Sequence, residues 1–411
     1  MIRKIHVNDL LVGMYVEKTD QSWLEHDLLF ASKRKIKTDY DIDKFKSSEI
    51  EQVYINTEKG RDIPIDRSDA AYKNLLDRIS FKPCNINEPE IKTGYDSEEY
   101  SNKLKEAKKI YSESLQFIKN FLNDARSGKI ISYSEAIPFV NTIVETINNN
   151  KNATLSMVNL YTFDEYTYTH CLDVAIIALA LGRHIGVPAK DLKFLGLGAL
   201  FHDIGKSKIP NEIINKPGKL TEHEFSIIKS HPLEGYKLLE GQKDIPHEVL
   251  RIIVEHHEKY NGQGYPLGLS GKDINQLANL VSVADIYDAL TTDRAYRKGL
   301  HPYKALQVLF CEKDDDFYPG YAENLVKCLG IYPVGSLVKL STGDYGRVID
   351  TNDDHPLAPK IEVILDEHMK PRQKALLDLN TYGSVNKRIK IVQCLHPEML
   401  PVEVRHHLMY A

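Results

Sequence analysis

The chain has 411 residues, 42% of them apolar and 27% charged, with a formal net charge of -5. That length permits two or three domains and at least one sizeable core. The interspersed, slightly acidic charge excludes an extended electrostatic footprint for duplex DNA or RNA, so any nucleotide ligand must be gripped locally.

Five cysteines, Cys84, Cys171, Cys311, Cys328 and Cys394, are scattered without CxxC spacing. Their odd number argues against a disulfide framework and for a reducing compartment. The N-terminus carries no apolar signal core, and the longest apolar run, around 174–181, is too short to span a bilayer. A cytoplasmic protein with no membrane partner is expected.

Residues 1–65 alternate β-like runs such as Gly13-Met14-Tyr15-Val16-Glu17 and Gln52-Val53-Tyr54-Ile55 with polar turns, the pattern of a small strand-rich module. Residues 66–98, with Pro83, Pro89 and Gly94, read as a connector. Helical spacing follows: Leu104, Ala107, Ile110, Tyr111, Leu115, Ile118, Phe121 and Leu122 form an apolar stripe, and a second helical stretch runs through 137–147. From 164 to 329, helical windows alternate with Gly or Pro punctuation: 171–185, 189–201, a helix opened by the capping-box pair Thr221 and Glu224, then 247–255, 274–290 and 302–310. After Gly330 the pattern returns to short strands, as in 335–340 and 361–365, with turns at Gly343-Asp344 and Asp353-Asp354. The expected fold is mainly α: an all-helical domain over 99–330, flanked by small β-rich modules at 1–65 and 331–411.

Half of the sixteen histidines lie between 170 and 257. His170, His202-Asp203, His231, His256-His257 and Asp285 each sit where a helix of this block can point them inward, and convergence from facing helices is how bundles build metal sites. Together they offer enough imidazole nitrogens and carboxylate oxygens for two divalent ions sharing one carboxylate, an arrangement suited to phosphoester hydrolysis. With no cysteine among them, the donors suit Fe or Mn better than a closed thiolate zinc site, with Zn or Ni as substitutes in recombinant protein. His184, His223 and His247 read as surface or capping residues, and Asp314-Asp315-Asp316 and Arg405-His406-His407 as solvated surface.

Further residues extend the pattern: Asp164-Glu165-Tyr166-Thr167-Tyr168-Thr169-His170, His202-Asp203-Ile204-Gly205-Lys206, Lys229-Ser230-His231-Pro232, His256-His257 with Tyr265-Pro266 after it, and the segment from Asp285 to Arg297. This stretch resembles the HD-GYP subgroup of the HD superfamily of metal-dependent phosphohydrolases. The resemblance implies an HD-type helical domain that hydrolyses cyclic dinucleotides, chiefly cyclic di-GMP, to linear pGpG or on to GMP at a two-metal iron or manganese site. It implies that His170, His202, Asp203 and Asp285 hold one ion, and that Asp203 bridges to a second held by His231, His256 and His257. A hydroxide shared by the two cations is the expected nucleophile.

Lys206 lies four residues after His202, on the same side if the helix continues, and is expected to stabilise charge growing on the phosphoryl oxygens. Arg294 and Arg297 are candidates to clamp the second phosphate, and Tyr265 and Asp288 complete the expected substrate-binding set. The Gly262-Gln263-Gly264-Tyr265-Pro266 loop is expected to be exposed; in the family it shapes the substrate site and meets partner signalling proteins. Some family members carry a glutamate four residues before the first metal histidine and bind a third ion. Here that position is Tyr166, and Glu165 would point about 100° away on a helix, so two ions are expected.

The N-terminal module is similar to a domain of uncharacterised function found before HD-GYP domains in bacteria, and reads as a gating, dimerisation or packing element. A homodimer is the default expectation. Two alternatives stand beside cyclic di-GMP hydrolysis: a phosphodiesterase for 3',3'-cyclic GMP-AMP, and a non-hydrolysing receptor that engages a partner through the Tyr265 loop. The intact ligand set weighs against the receptor.

Overall fold

The computed structural model describes residues 2–6, 10, 13–19, 34–36, 52–56, 59, 97–127, 129, 133–158, 166–216, 218, 220–241, 245–292, 299–312, 316–352, 355–380 and 389–395. The chain divides into two compact units, 1–84 with 216–222, and 85–215 with 223–411.

In the first unit, strands β1 (Ile2–His6), β2 (Tyr15–Thr19), β3 (Arg34–Lys35) and β4 (Gln52–Asn56) form an antiparallel sheet in the order β1-β4-β2-β3. Ile5, Leu10, Met14, Val16, Ile36, Val53 and Ile55 make its core. The two β-like runs read from sequence are β2 and β4. Most of the 66–98 connector lies outside the described residues.

The second unit begins with α1 (Ser97–Arg126), a 3-10 turn at Tyr133–Ala136 and α2 (Ile137–Leu155). It continues through α3 (Tyr166–His184), α4 (Ala189–Phe201), a 3-10 turn at Ile204–Lys208, α5 (Asn211–Ile214), α6 (Glu222–Ile228), α7 (His231–Leu239) and α8 (His247–Glu255). A 3-10 turn at Gly271–Asp273 precedes α9 (Gln276–Thr291), α10 (Pro302–Glu312) and α11 (Tyr321–Leu329).

Helices α3 and α9 are apolar on nearly every side, which is why they are buried all round rather than along one stripe. From Thr169 to Gly182 in α3 and from Ala278 to Leu290 in α9 every residue is buried. The stripe of α1 joins this core through aromatic stacking, with Phe121 on Phe201 at 4.4 Å and Phe117 on Phe139 at 4.2 Å between ring centroids. Glycine allows α4 its close neighbours: a Cβ on Gly198 would lie 2.6 Å from Ile252 side-chain atoms.

Strands β5 (Leu337–Leu340), β6 (Tyr345–Asp350), β7 (Lys360–Leu365), β8 (Pro371–Asp378) and β9 (Ile391–Leu395) form a second antiparallel sheet in the order β8-β7-β6-β5-β9. Its alternating pattern buries Val338, Leu340, Val348, Ile361 and Val363 together. The sheet belongs to the same compact unit as the helices. The Asn152 side-chain amide of α2 donates to Asp350, and Tyr332 stacks on Tyr303 with ring centroids 5.9 Å apart.

Candidate metal centre

Helix ends deliver most of the cluster. His202 is the C-cap of α4 and Asp203 follows it, His231 opens α7, and His256 is the C-cap of α8 with His257 next. His170 and Asp285 come instead from the buried middle helices α3 and α9.

The last carbonyls of a helix have no intrahelical donor, and two imidazoles use them. His202 Nδ1 donates to the Ala199 carbonyl at 2.7 Å and His256 Nδ1 to Ile253 at 2.8 Å. His231 Nδ1 does the same to the Ile228 carbonyl of the preceding helix at 2.7 Å. A carbonyl only accepts, so the proton sits on Nδ1 and each Nε2 presents a bare lone pair inward. The Asp288 carboxylate imposes the same tautomer on His170, whose Nδ1 lies 2.6 Å from Oδ2.

The inward atoms form two groups. Asp203, His231, His256 and His257 have ligating atoms within 4.8 Å of one another, as do His170, His202 and Asp285. Asp203 faces both: Oδ1 lies 3.2 Å from His231 Nε2, and Oδ2 lies 3.4 Å from both His170 Nε2 and His202 Nε2. Asp285 Oδ1 lies 3.2 Å from His170 Nε2.

The nitrogens His231 Nε2 and His256 Nε2 face each other at 3.2 Å, although neither carries a proton to share. Among the described residues, His202 Nε2 and Asp203 Oδ1 are buried without a hydrogen-bond partner. Buried lone pairs turned on one another are costly alone and are what a cation satisfies, so the donor set fits metal ions.

The electrostatics agree. Burial lowers the imidazoles of His231, His256 and His257, the last to about 3, which keeps them neutral and able to ligate. Burial alone would raise Asp203 and Asp285. Lys206 and the neighbouring histidines outweigh it at Asp203, and His170, His202 and His257 do so at Asp285, holding both well below the usual carboxylate range.

Lys206 differs from expectation in how it arrives. Helix α4 stops at Phe201, and the 3-10 turn brings Lys206 Nζ to 2.5 Å from Asp203 Oδ2 while leaving its side chain 31% exposed. Gly205 makes this turn possible, because a Cβ there would sit 1.9 Å from the His231 carbonyl oxygen. Asp288 corrects the sequence reading outright. It is 0% exposed and lies behind His170, where it can orient the ring but offers no surface to a substrate. Its signal was present in the chain, since it falls three residues after Asp285 and so shares that side of α9.

The 262–266 loop is less exposed than expected. The Tyr265 ring packs on His257 with centroids 4.7 Å apart, and the Tyr265-Pro266 peptide is cis. Gly264 permits close approach, because a Cβ would lie 2.3 Å from the Lys259 nitrogen, whereas Gly262 takes a positive φ of 80°. Glu258, missed from sequence, ties down the loop's exit by accepting from the amides of Leu267, Gly268 and Leu269 at 2.6, 3.1 and 3.0 Å. Asp316 is likewise no solvated helix end: it lies 3.4 Å from the buried Lys259 ammonium. His184, His223 and His247 are exposed, as expected. Arg294, Arg297, Glu165, Asp314, Asp315 and the 405–407 segment lie outside the described residues, as does the side chain of Tyr166.

Comparison with known proteins agrees with this architecture. The HD domain family matches residues 141–319, a domain of unknown function (DUF3391) matches 2–136, and a KOW domain associated with the HD domain matches 337–401. A cyclic di-GMP phosphodiesterase of Pseudomonas aeruginosa is 32% identical over 388 residues, covering 94% of this chain and 91% of that protein. The cyclic di-GMP phosphodiesterase response regulator RpfG of Xanthomonas campestris is 36% identical over 37% of this chain and 40% of its own length. A 3'3'-cGAMP-specific phosphodiesterase of Vibrio cholerae is 34% identical over 41% of this chain and 36% of its own length. The helical fold and its histidine and aspartate cluster are those of an HD-domain protein. The chain belongs to the HD-GYP family of HD-superfamily metal-dependent phosphohydrolases.

Proposed function

We propose that the chain is a metal-dependent phosphodiesterase that hydrolyses cyclic di-GMP to linear pGpG, GMP or both. The observation that carries this reading is the Asp203 carboxylate, which turns one oxygen toward His231 and the other toward His170 and His202. That is a donor set for two cations sharing a bridge. The substrate follows from the P. aeruginosa relative, whose similarity extends over 94% of this chain.

In this reading His170, His202, Asp203 and Asp285 hold one ion, and Asp203, His231, His256 and His257 the other. Iron or manganese suits these nitrogen and oxygen donors. Two such ions, when bound, supply an activated water at neutral pH and stabilise charge on the phosphoryl group.

The chain's own residues do the rest. The fixed tautomers keep the ligating lone pairs aimed, so little reorganisation accompanies the reaction. Lys206, held at Asp203 yet 31% exposed, is placed to donate to a phosphoryl oxygen. Tyr265, packed on His257, walls the site on the loop side. Arg294 and Arg297 would clamp the distal phosphate. The protein would act in the cytoplasm as a homodimer, with the N-terminal module gating or pairing the subunits and the 262–266 loop available to a signalling partner.

The V. cholerae relative supports 3',3'-cyclic GMP-AMP as a second substrate to test. The test is turnover of each cyclic dinucleotide by anaerobically purified, Mn- or Fe-loaded protein, with products separated by chromatography. Conversion of cyclic di-GMP that disappears in Asp203→Ala supports the reading. Full metal loading without conversion of cyclic di-GMP contradicts it.

A further inference from the structure

The Lys206 side of the centre opens into a small cleft that no ligand assignment above uses. Asn123 and Leu122 of α1, Tyr168 of α3, Ser207 and Ile214 line it beside Lys206 and Asp203. Its position is unexpected from domain boundaries, because α1 falls within the 2–136 match whereas the metal ligands all fall within the 141–319 match. One wall of the cleft therefore comes from outside the HD domain.

The chemistry of the cleft beyond Lys206 suits a base edge. Lys206, held at Asp203 at 2.5 Å, faces the phosphoryl group, and the polar groups further out are a neutral amide and two hydroxyls. Ile214, partly exposed, adds apolar surface against which a ring can rest. Ser207 Oγ lies behind the cleft, buried with no hydrogen-bond partner among the described residues.

The amide is also polarised in its choice. The Tyr168 hydroxyl donates to Asn123 Oδ1 at 2.9 Å, which fills one of the two lone pairs at the accepting end and biases the amide toward donating through Nδ2. An asparagine with both ends free pairs with adenine through N6 and N7. One biased toward donating suits guanine, whose O6 and N7 are both acceptors. We infer that Asn123, set by Tyr168, forms a subsite that reads a guanine edge of the substrate and that α1 builds into the active site. The inference rests on the cyclic dinucleotide reading.

The test uses the full-length metal-loaded protein and its Asn123→Asp, Asn123→Ala and Tyr168→Phe variants, with folding checked by circular dichroism. Each is assayed on cyclic di-GMP, on cyclic di-AMP and on bis(p-nitrophenyl) phosphate, which has no base. For Asn123→Asp the ratio of kcat/KM on cyclic di-GMP to that on the base-free ester should fall about tenfold, mainly through KM, as one or two lost base contacts require. Asn123→Ala, which adds no charge, should move the ratio in the same direction by less. Tyr168→Phe, which frees Oδ1, should narrow the preference for cyclic di-GMP over cyclic di-AMP several-fold. Wild-type cleavage of cyclic di-GMP with every ratio within twofold of wild type in all three variants would overturn the subsite alone. Cleavage of the base-free ester but of no cyclic dinucleotide by the wild type would overturn the substrate reading and the subsite with it.

Discussion

Asp288 Oδ2 lies 2.6 Å from Nδ1 of His170, and both side chains are buried between α3 and α9. The pair fixes which nitrogen of His170 faces Asp203 and Asp285, so a residue that touches no ligand site sets the chemistry of one that does.

Replacing Asp288 by alanine should therefore weaken metal retention. Loss of such a partner costs about 10–100-fold in metal affinity or activity. Elemental analysis after dialysis against a weak chelator should show reduced metal in Asp288→Ala, with Asp288→Asn intermediate because its amide oxygen still accepts. Unchanged retention in both would remove Asp288 from the support of His170.

Lys206→Ala should separate chemistry from metal binding. Its ammonium neutralises part of the Asp203 charge but ligates nothing, so metal content should be kept while kcat falls roughly 100- to 1,000-fold, the usual scale for a lost charge stabiliser. Steady-state kinetics alongside metal analysis would decide; equal kcat would exclude Lys206 from the reaction.

The loop exit depends on Glu258. Alanine there strips three amides of their acceptor, and because Leu267 and Gly268 are exposed, water can replace part of the loss. A destabilisation of about 2 kcal/mol is expected, read from chemical denaturation of Glu258→Ala, together with a raised KM as Tyr265 loses its support. A denaturation midpoint matching wild type would contradict that role.

The metal-free protein should be sensitive to acid. Burial lowers the folded-state pKa of His231, His256 and His257 below the ordinary histidine value of 6.5, to about 3 for His257. Below pH 6.5 the unfolded chain binds protons that the folded chain refuses, so this contribution is complete above 6.5 and is lost as pH falls toward 3. Thermal unfolding of chelator-treated protein should show Tm dropping through that window. His257→Asn should flatten the drop, and an equal slope in that variant would assign the acid sensitivity elsewhere.

The helical architecture was legible because periodicity survives burial: the stretches 189–201 and 247–255 read from sequence coincide with α4 and α8. The seven ligand candidates also converge as read, since His-Asp and His-His pairs at helix ends leave few other roles. Spacing could not reveal the 3-10 turn that follows α4 in place of further helix. Lys206 therefore reaches Asp203 through a 3-10 turn that depends on Gly205. Asp288 and Asp316 were misread for one reason: a carboxylate in a sequence looks like surface or substrate chemistry until its partner, His170 or Lys259, is brought to it by the fold. The neighbourhood of Asn123 and Tyr168 was equally invisible, because 45 residues separate them and only the packing of α1 on α3 joins them.

The central claim is that Asp203 bridges two ions, and the most direct measurement is the metal stoichiometry of anaerobically purified protein by mass spectrometry. Two ions per chain in the wild type, with loss from both positions in Asp203→Ala, is the predicted result. One ion per chain in fully loaded wild type, or two ions retained by Asp203→Ala, would contradict the shared carboxylate.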